Sequence, residues 1–270
     1  MPSIIYHNNC TDGFCAAWLF YQVYPDAEFI PANHGDSPPN VDGKDVVIVD
    51  FSYPRDVLLE MKEKANSLLV LDHHKTAKAN CEGLDFCIFD MKESGASLAF
   101  AHLRDKFEEP EVHLYEQLVL YVKDRDLWNW ELDYSKEVSA AINSYPKNFD
   151  AWDDLAFTSL SDLIQDGAAI QRYRKQLIDS NIKNAAIKNI CGYKVWCAPC
   201  FGDIISEVGE ELAKRGAFGA TFYDRASDSK RVFSLRSIGD FDVSEIAKQY
   251  GGGGHKNAAG FEINYVSSNI

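Results

Sequence analysis

Residues 68–76 read LLVLDHHKT: an apolar run passes directly into an Asp-His-His triplet. Two other apolar runs end in the same way, because IIY leads into His7 and VVIV leads into Asp50. Runs that are continuously rich in Val, Ile and Leu are typical of strands buried on both faces of a parallel sheet. The sequence therefore predicts three buried strands, each followed by side chains that can ionise or bind a metal.

The first 130 residues alternate between strand-like and helix-like segments. Strands are expected at 3–7, 28–32, 45–52, 67–74 and 85–90, and helices at 13–24, 55–65 and 95–107. Strand–helix–strand repetition predicts an α/β fold with a parallel sheet. Functional groups in such sheets gather beyond the carboxyl ends of the strands. His7, Asp50 and residues 72–74 are therefore expected at one edge.

The pattern changes twice along the rest of the chain. The segment that follows is largely helical, and it includes a long amphipathic stretch at 162–187. Strand-like segments return after Gly192. We therefore expect an N-terminal parallel-sheet domain over residues 1–130, a helical linker over 131–190, and a smaller C-terminal α/β domain over 191–270.

The composition limits the partners that this chain can bind. It has 270 residues, a formal net charge of −14 and seven scattered cysteines. A surface this acidic repels long polyanions, because duplex binding depends on many phosphate contacts. The sequence contains no apolar run of about 18 residues, so we expect no transmembrane helix. We also expect no secretory signal at the start. The scattered cysteines suit a reducing compartment. We expect a cytoplasmic protein that binds neither membranes nor long duplex nucleic acid.

The clustered carboxylates and imidazoles indicate a metal site. Such groups cannot stay charged and close together without a counterion, and a divalent cation supplies one. Mixed histidine and carboxylate ligation favours Mn²⁺, Fe²⁺, Co²⁺ or Zn²⁺ over Mg²⁺, which prefers oxygen. Two ions that share a carboxylate are suited to phosphoryl hydrolysis. We expect two Mn²⁺ ions, with Mg²⁺, Co²⁺, Fe²⁺ and Zn²⁺ as alternatives.

The C-terminal part carries a second polar motif, four glycines at 251–254 followed by His255. Glycines let backbone N–H groups approach an anion without obstruction from a Cβ atom. Arg236 lies on the preceding predicted strand and suits bidentate phosphate recognition. These residues predict a phosphate-binding surface.

Together, the DHH triplet, the preceding strand-end Asp50, the His7…Asp12-Gly13 element and the terminal GGGGH resemble the DHH phosphoesterase superfamily. The chain is similar to the branch with a DHH-associated C-terminal domain. That branch includes RecJ-like exonucleases, nano-RNases and cyclic dinucleotide phosphodiesterases. The resemblance implies a catalytic N-terminal DHH domain and a C-terminal domain that grips the substrate.

The resemblance also implies roles for single residues. The implied metal ligands are His7, Asp12, Asp50, His73 and Asp124. Asp50 would bridge both ions, Asp72 would orient an imidazole, and His74 would face the phosphate. The implied catalytic residues are Asp50, Asp72, His73 and His74. The implied substrate-binding residues are His74, Arg236, Gly252, Gly253, Gly254 and His255. Asp126 replaces Asp124 as the implied ligand if the register of the motif around these two aspartates is shifted by two residues.

The first motif departs from the pattern of the family. It reads HNNCTDG, so that Cys10 stands where the family usually has an aspartate. Two interpretations stay open: a Cys10 thiolate that favours a softer metal, or a small packed side chain with His7 alone at that corner.

Several other aromatic, histidine and cysteine residues have a structural interpretation beside or in place of a functional one. Trp128 and Trp130 fit either stacking on a base or packing of a helix end. His34, His102 and His113 have no ligand-like neighbours in sequence and are expected to be structural. Cys197 and Cys200 have CxxC spacing without a second pair, which is a weak indication of a metal or redox site.

The expected function is metal-dependent hydrolysis of phosphodiesters, of the oligoribonuclease or exonuclease type. The acidic chain favours short oligonucleotides or linear dinucleotides, cut to mononucleotides. The alternatives are a pyrophosphatase or short-chain exopolyphosphatase, and a nucleotide-binding module in which Cys10 marks weakened catalysis. A homodimer is compatible with the sequence.

Overall fold

The structure is a computed structural model, and it describes residues 1–8, 10–75 and 77–264. The chain divides into two compact units, Met1–Gln171 and Arg172–Ile270. Among the described helices, none has the length and apolar character needed to cross a membrane.

The first unit is built on a five-stranded parallel sheet, in the order β2-β1-β3-β4-β5. Its strands are β1 Ser3–His7, β2 Glu28–Ala32, β3 Asp45–Val49, β4 Ser67–Asp72 and β5 Cys87–Phe89. Tyr6 pairs with Val49, and Val49 pairs with Leu71, so the carboxyl ends of the three central strands lie side by side. The predicted α/β fold with a parallel N-terminal sheet is confirmed.

Helices cover both faces of this sheet. They are α1 Thr11–Val23, α2 Arg55–Lys64, α3 Lys78–Cys81, α4 Gly95–Leu103 followed by a 3₁₀ turn Arg104–Lys106, α5 Glu111–Asp126, α6 Ser135–Ser144 and α7 Phe149–Ala156. Neighbouring strand residues belong to different cores, since Val49 packs with Trp18 on one face and Ile48 packs with Leu58 on the other. Burial on both faces explains why the strands are continuously apolar.

The expected linker over residues 131–190 differs from the structure at both of its ends. Helices α6 and α7 belong to the first unit, because Val138, Ile142 and Trp152 are buried in its core. Strand β6 Ala186–Ile190 belongs to the second sheet. Of the predicted linker, helix α8 Leu160–Lys183 is the element that runs from one unit into the next.

Helix α8 requires glycine where it passes α6. A Cβ atom built on Gly167 would lie 1.8 Å from the backbone oxygen of Glu137. We expect Gly167→Ala to lower the free energy of unfolding by about 2–3 kcal/mol, because the forced backbone shift outweighs the gain in helix propensity. Urea denaturation measures the change. Gly216→Ala is the control, since the nearest atom to its built Cβ is 3.9 Å away. Equal stability of the two variants would contradict the prediction.

The second unit contains a six-stranded mixed sheet, in the order β10-β11-β9-β8-β7-β6. Its other elements are β7 Tyr193–Pro199, α9 Ile205–Ala213, β8 Gly219–Arg225, β9 Lys230–Arg236, α10 Val243–Lys248, β10 Gly253–His255 and β11 Ala258–Asn264. Strands β7 and β8 are parallel, and the other pairs are antiparallel. Phe218, Leu235 and Val243 are buried in its core.

Candidate metal centre

The three central strands deliver polar side chains to one edge of the first sheet. His7 ends β1, Asp50 directly follows β3, and Asp72 ends β4 with His73 directly after it. Asp50 has a φ of 63°, a left-handed conformation that aspartate adopts more readily than most residues. Its backbone N–H donates to the oxygen of Leu71 at 2.9 Å, which fixes the turn against β4.

Asp50 is the central residue of the cluster and is only 1% exposed. Its Oδ1 lies 3.2 Å from Nε2 of His73, and its Oδ2 lies 3.4 Å from Nδ1 of His7. Two sets of possible ligand atoms, each within 4.8 Å of one another, share this carboxylate. The sets are His7, Asp50 and His74, and Asp12, Asp50 and His73. Asp50 is thus the common corner of two potential cation sites.

Asp12 reaches the cluster from the first turn of α1 and is anchored by another helix. The backbone N–H groups of Gly95 and Ala96, at the start of α4, donate to its two carboxylate oxygens. Glycine is required at this approach, because a Cβ built on Gly95 would lie 2.5 Å from Cβ of Asp50. The Asp12 Oδ2 lies 3.8 Å from Nε2 of His73.

Asp72 is fully buried and organises the triplet that it begins. Its Oδ1 accepts hydrogen bonds from the backbone N–H groups of His73 and His74, at 2.7 and 3.1 Å. It also lies 2.8 Å from Nδ1 of His74. This hydrogen bond outweighs burial and raises the pKa of His74. An Nδ1–H bound to Asp72 leaves Nε2 of the same ring available to a ligand.

The electrostatics of the cluster fit a divalent cation. Burial, together with the charge of Asp50, raises the pKa of Asp12 and of Asp126. Burial acts in the same direction on Asp50, but the neighbouring His7 and His73 outweigh it and lower the pKa of that carboxyl. Nδ1 of His7 and Oδ2 of Asp50 are buried without a hydrogen-bond partner, although they face each other. Unpartnered nitrogen and oxygen atoms at this separation are suited to ligate one ion between them.

The chain is similar to several known proteins. A family model described as the DHHA1 domain matches residues 200–269. An uncharacterised protein, R106 of Acanthamoeba polyphaga mimivirus, is 28% identical over 97% of this chain and 68% of its own length. The oligoribonuclease NrnB of Bacillus subtilis is 26% identical over 76% of this chain. The match spans 55% of NrnB, so only about half of that protein is represented.

The DHHA1 match and the similarity to NrnB support the predicted resemblance to the DHH superfamily. The predicted resemblance is therefore confirmed, and residues 72–74 are the Asp-His-His triplet on which it was predicted.

Solved structures with the same fold have low sequence identity to this chain. The pGpG-specific phosphodiesterase PggH of Vibrio cholerae aligns over 97% of this chain and 93% of its own, with a TM-score of 0.59 and 12% identity. An exopolyphosphatase-related protein of Bacteroides fragilis aligns over 98% and 87%, with a TM-score of 0.56 and 15% identity. RecJ of Thermus thermophilus, solved with Mn²⁺, aligns over 97% and 49%, with a TM-score of 0.55 and 16% identity.

Six of the predicted site residues meet at the edge of the first sheet. They are His7, Asp12, Asp50, Asp72, His73 and His74. The carboxylate of Asp72 contacts the imidazole ring of His74, whereas its contact with His73 is to the backbone N–H of that residue. His74 also lies in one of the two ligand sets, in addition to the phosphate-facing position expected for it.

The structure corrects the predicted ligand on α5. The carboxylate of Asp124 accepts hydrogen bonds from the backbone N–H groups of Glu131 and Leu132 and from the hydroxyl of Ser135. Both of its oxygens are therefore used to hold the following loop. The residue that reaches the cluster is Asp126, whose Oδ2 lies 3.5 Å from Nε2 of His73. We propose Asp126 in place of Asp124, which corresponds to the alternative register.

Cys10 lies at the start of α1, beside the acidic cluster. Burial and the charges of Asp50 and Asp12 raise the pKa of its thiol. These surroundings favour the protonated, packed side chain of the two interpretations.

The predicted substrate-binding residues lie in the second unit. The guanidinium of Arg236 donates to the oxygen of Leu235 and to the hydroxyl of Ser206, each at 2.9 Å. Gly252 and Gly254 pack against β11, where built Cβ atoms would come within 2.6 Å of backbone oxygens. Gly253 and His255 are exposed. Close strand packing thus explains part of the glycine run, and phosphate binding by these residues stays a prediction.

His34, which the sequence predicts to be structural, lies beside the candidate metal centre. Its ring centroid is 5.2 Å from that of His7 and 5.8 Å from that of His74. Burial and the two neighbouring imidazoles lower its pKa. His34 follows the carboxyl end of β2, which neighbours β1 in the sheet. The rule that located His7 and Asp50 also applies to this strand end and could have found it.

Proposed function

We propose that this protein is a metal-dependent phosphodiesterase that hydrolyses short oligonucleotides or linear dinucleotides. The observation that carries the proposal is the buried Asp50 carboxylate, which two sets of ligand atoms share. A carboxylate shared between two divalent ions is suited to phosphoryl transfer. The residues proposed to hold the ions, taken to be Mn²⁺, are His7, Asp12, Asp50, His73, His74 and Asp126.

Bound ions would supply positive charge to the phosphate oxygens and acidify water at the site. The protein side chains would position the substrate around them. Asp72 holds the ring of His74 so that its other nitrogen is available to an ion or to a phosphate oxygen. His34 lies beside the same rings and is proposed to contact the phosphate as well.

The length of the substrate follows from charge and is supported by the comparisons. A net charge of −14 disfavours long strands, which need an extended positive groove. One relative is named an oligoribonuclease, and one protein of the same fold is named a pGpG-specific phosphodiesterase. Both names describe action on short nucleotides.

Hydrolysis of pyrophosphate or short polyphosphate is the second candidate, because an exopolyphosphatase-related protein shares the fold. Such a substrate requires several cations around it. In the second unit, Arg225, Arg231 and Lys256 each form an ion pair with a carboxylate. These three side chains are therefore less available to a polyanion, which favours the phosphodiesterase.

A substrate panel with Mn²⁺ tests the proposal. We expect the highest kcat/KM for linear dinucleotides such as pGpG and pApA, at least about 10-fold above a 20-mer, a cyclic dinucleotide, pyrophosphate or tripolyphosphate. EDTA should abolish turnover, and added Mn²⁺ should restore it. Preferential hydrolysis of pyrophosphate or tripolyphosphate would support the second candidate. Dinucleotide binding without turnover would support the binding module.

A further inference from the structure

Two tryptophans lie in the loop that follows α5. The rings of Trp128 and Trp130 are 5.0 Å apart, with an interplanar angle of 72°. Trp128 is 50% exposed, and Trp130 is half-buried. Core packing, one of the two interpretations of this pair, does not account for an indole that leaves half of its surface in solvent.

Two cations lie against these rings. The guanidinium carbon of Arg125 is 4.9 Å from the ring centre of Trp128 and 5.8 Å from that of Trp130. Nζ of Lys136 is 5.5 Å from the ring centre of Trp130. Cation–π contacts of this kind hold aromatic rings in place. They also put positive charge next to an exposed aromatic surface in an otherwise acidic protein, which suits an aromatic ligand that carries phosphate.

The backbone of this loop is held in an unfavourable conformation. Trp128 and Trp130 both have a φ of 58°, in the left-handed region that bulky residues rarely adopt. Asp124 stabilises the loop, because its carboxylate accepts hydrogen bonds from Glu131, Leu132 and Ser135. Strained residues that the surroundings fix in this way cluster at functional sites.

The loop begins at the rim of the metal centre. Asp126, which reaches His73, is only two residues before Trp128. Two residues span at most about 7 Å of backbone. A base whose phosphate lies at the metal centre is separated from that phosphate by one sugar. The indoles are therefore placed to meet a base while the metal centre holds its phosphate.

We propose that Trp128 and Trp130, supported by Arg125, form a stacking platform for a nucleobase of the substrate. This inference rests on the proposed function and deepens it, because it assigns the subsite that recognises the base next to the cleaved phosphate. The platform accepts any base, since every base presents a π face. It disfavours pyrophosphate, which has no ring to stack.

The test compares Trp128→Ala and Trp128→Phe with wild type on pApA and on a matched abasic dinucleotide. We expect Trp128→Ala to lower kcat/KM for pApA about 10- to 100-fold, mainly through KM, and to change the abasic rate less than about 3-fold. Trp128→Phe should recover most of the loss. Phe157→Ala is the control, because Phe157 is another exposed aromatic ring of the first unit, at 61% exposure.

Binding of pApA in EDTA, followed by isothermal titration calorimetry, separates the two proposals. Weaker binding of pApA by Trp128→Ala supports the platform even if wild type shows no turnover, in which case only the proposed hydrolysis fails. If wild type hydrolyses pApA and Trp128→Ala binds and cleaves it equally well, the platform is overturned and the hydrolase stands. An equal loss on pApA and on the abasic analogue also overturns the platform.

Discussion

An Asp50→Asn variant should lose Mn²⁺-dependent hydrolysis of pApA by on the order of 10³-fold or more, while it remains folded. The carboxylate of Asp50 is shared by both ligand sets, so its removal affects both proposed cation sites at once. Asparagine is the appropriate replacement, because it has nearly the same shape and tolerates the left-handed backbone at this position. Initial rates with saturating Mn²⁺ measure the loss.

Thermal denaturation with and without Mn²⁺ shows whether Asp50 acts through the metal. A ligand at 100 times its Kd stabilises a protein by about 2.7 kcal/mol, so the Tm of wild type should rise when Mn²⁺ is added. The Tm of Asp50→Asn should not rise. Its Tm without metal should be somewhat lower than that of wild type, because His7 and His73 lower the pKa of Asp50 and so stabilise the folded state with this carboxylate ionised.

Asp85→Asn is the matched control, because Asp85 is an exposed aspartate of the same unit. It should keep the activity and the response to Mn²⁺ of wild type. If Asp50→Asn also kept either property, the two-ion interpretation of the cluster would have to be given up.

The sequence predicted the sheet and most of the candidate site for one physical reason. Parallel strands buried on both faces are continuously apolar, so that the first polar residue after each run marks a carboxyl end. His7, Asp50 and Asp72 were located in this way, and the register of β1, β3 and β4 brings them together. His34 follows a strand that contains Pro31 and is only partly buried, which made the same signal weaker there.

The errors concern elements whose placement depends on tertiary packing. Helices α6 and α7 are short and amphipathic, and such helices look alike in a linker and at the edge of a core. Only the burial of Val138 and Trp152 assigns them to the first unit. The strand-like segments of the second unit were recognisable, but pattern alone could not distinguish glycines that approach an anion from glycines that approach a neighbouring strand.

The choice between Asp124 and Asp126 could not be made from the sequence either. Both lie in the last turn of α5 and are followed by the same aromatic loop. Residues two apart on a helix are related by a rotation of about 200° around the helix axis, so their side chains point to nearly opposite sides. Only one of the two aspartates can therefore face the candidate metal centre. Which one does so depends on how α5 packs against α4 and α1, and the sequence does not encode that rotation in any short motif.

The two aspartates should therefore respond differently to the same substitution. Asp126→Asn should weaken Mn²⁺ binding about 100-fold and reduce pApA hydrolysis by a similar factor, because it removes the carboxylate next to His73. Its free energy of unfolding without metal should be unchanged or higher, since burial and the charge of Asp50 already raise the pKa of Asp126.

Asp124→Asn should show the opposite pattern. It should lower the free energy of unfolding by about 2 kcal/mol, because a buried carboxylate that accepts three hydrogen bonds loses its charge. Mn²⁺ affinity, measured by isothermal titration calorimetry, should stay within about 3-fold of wild type, whereas KM for pApA should rise as the tryptophan loop loosens. The pair provides its own control, because the two residues have the same chemistry and occupy the same helical turn. A loss of Mn²⁺ affinity in Asp124→Asn together with normal affinity in Asp126→Asn would restore the original register and remove Asp126 from the metal centre.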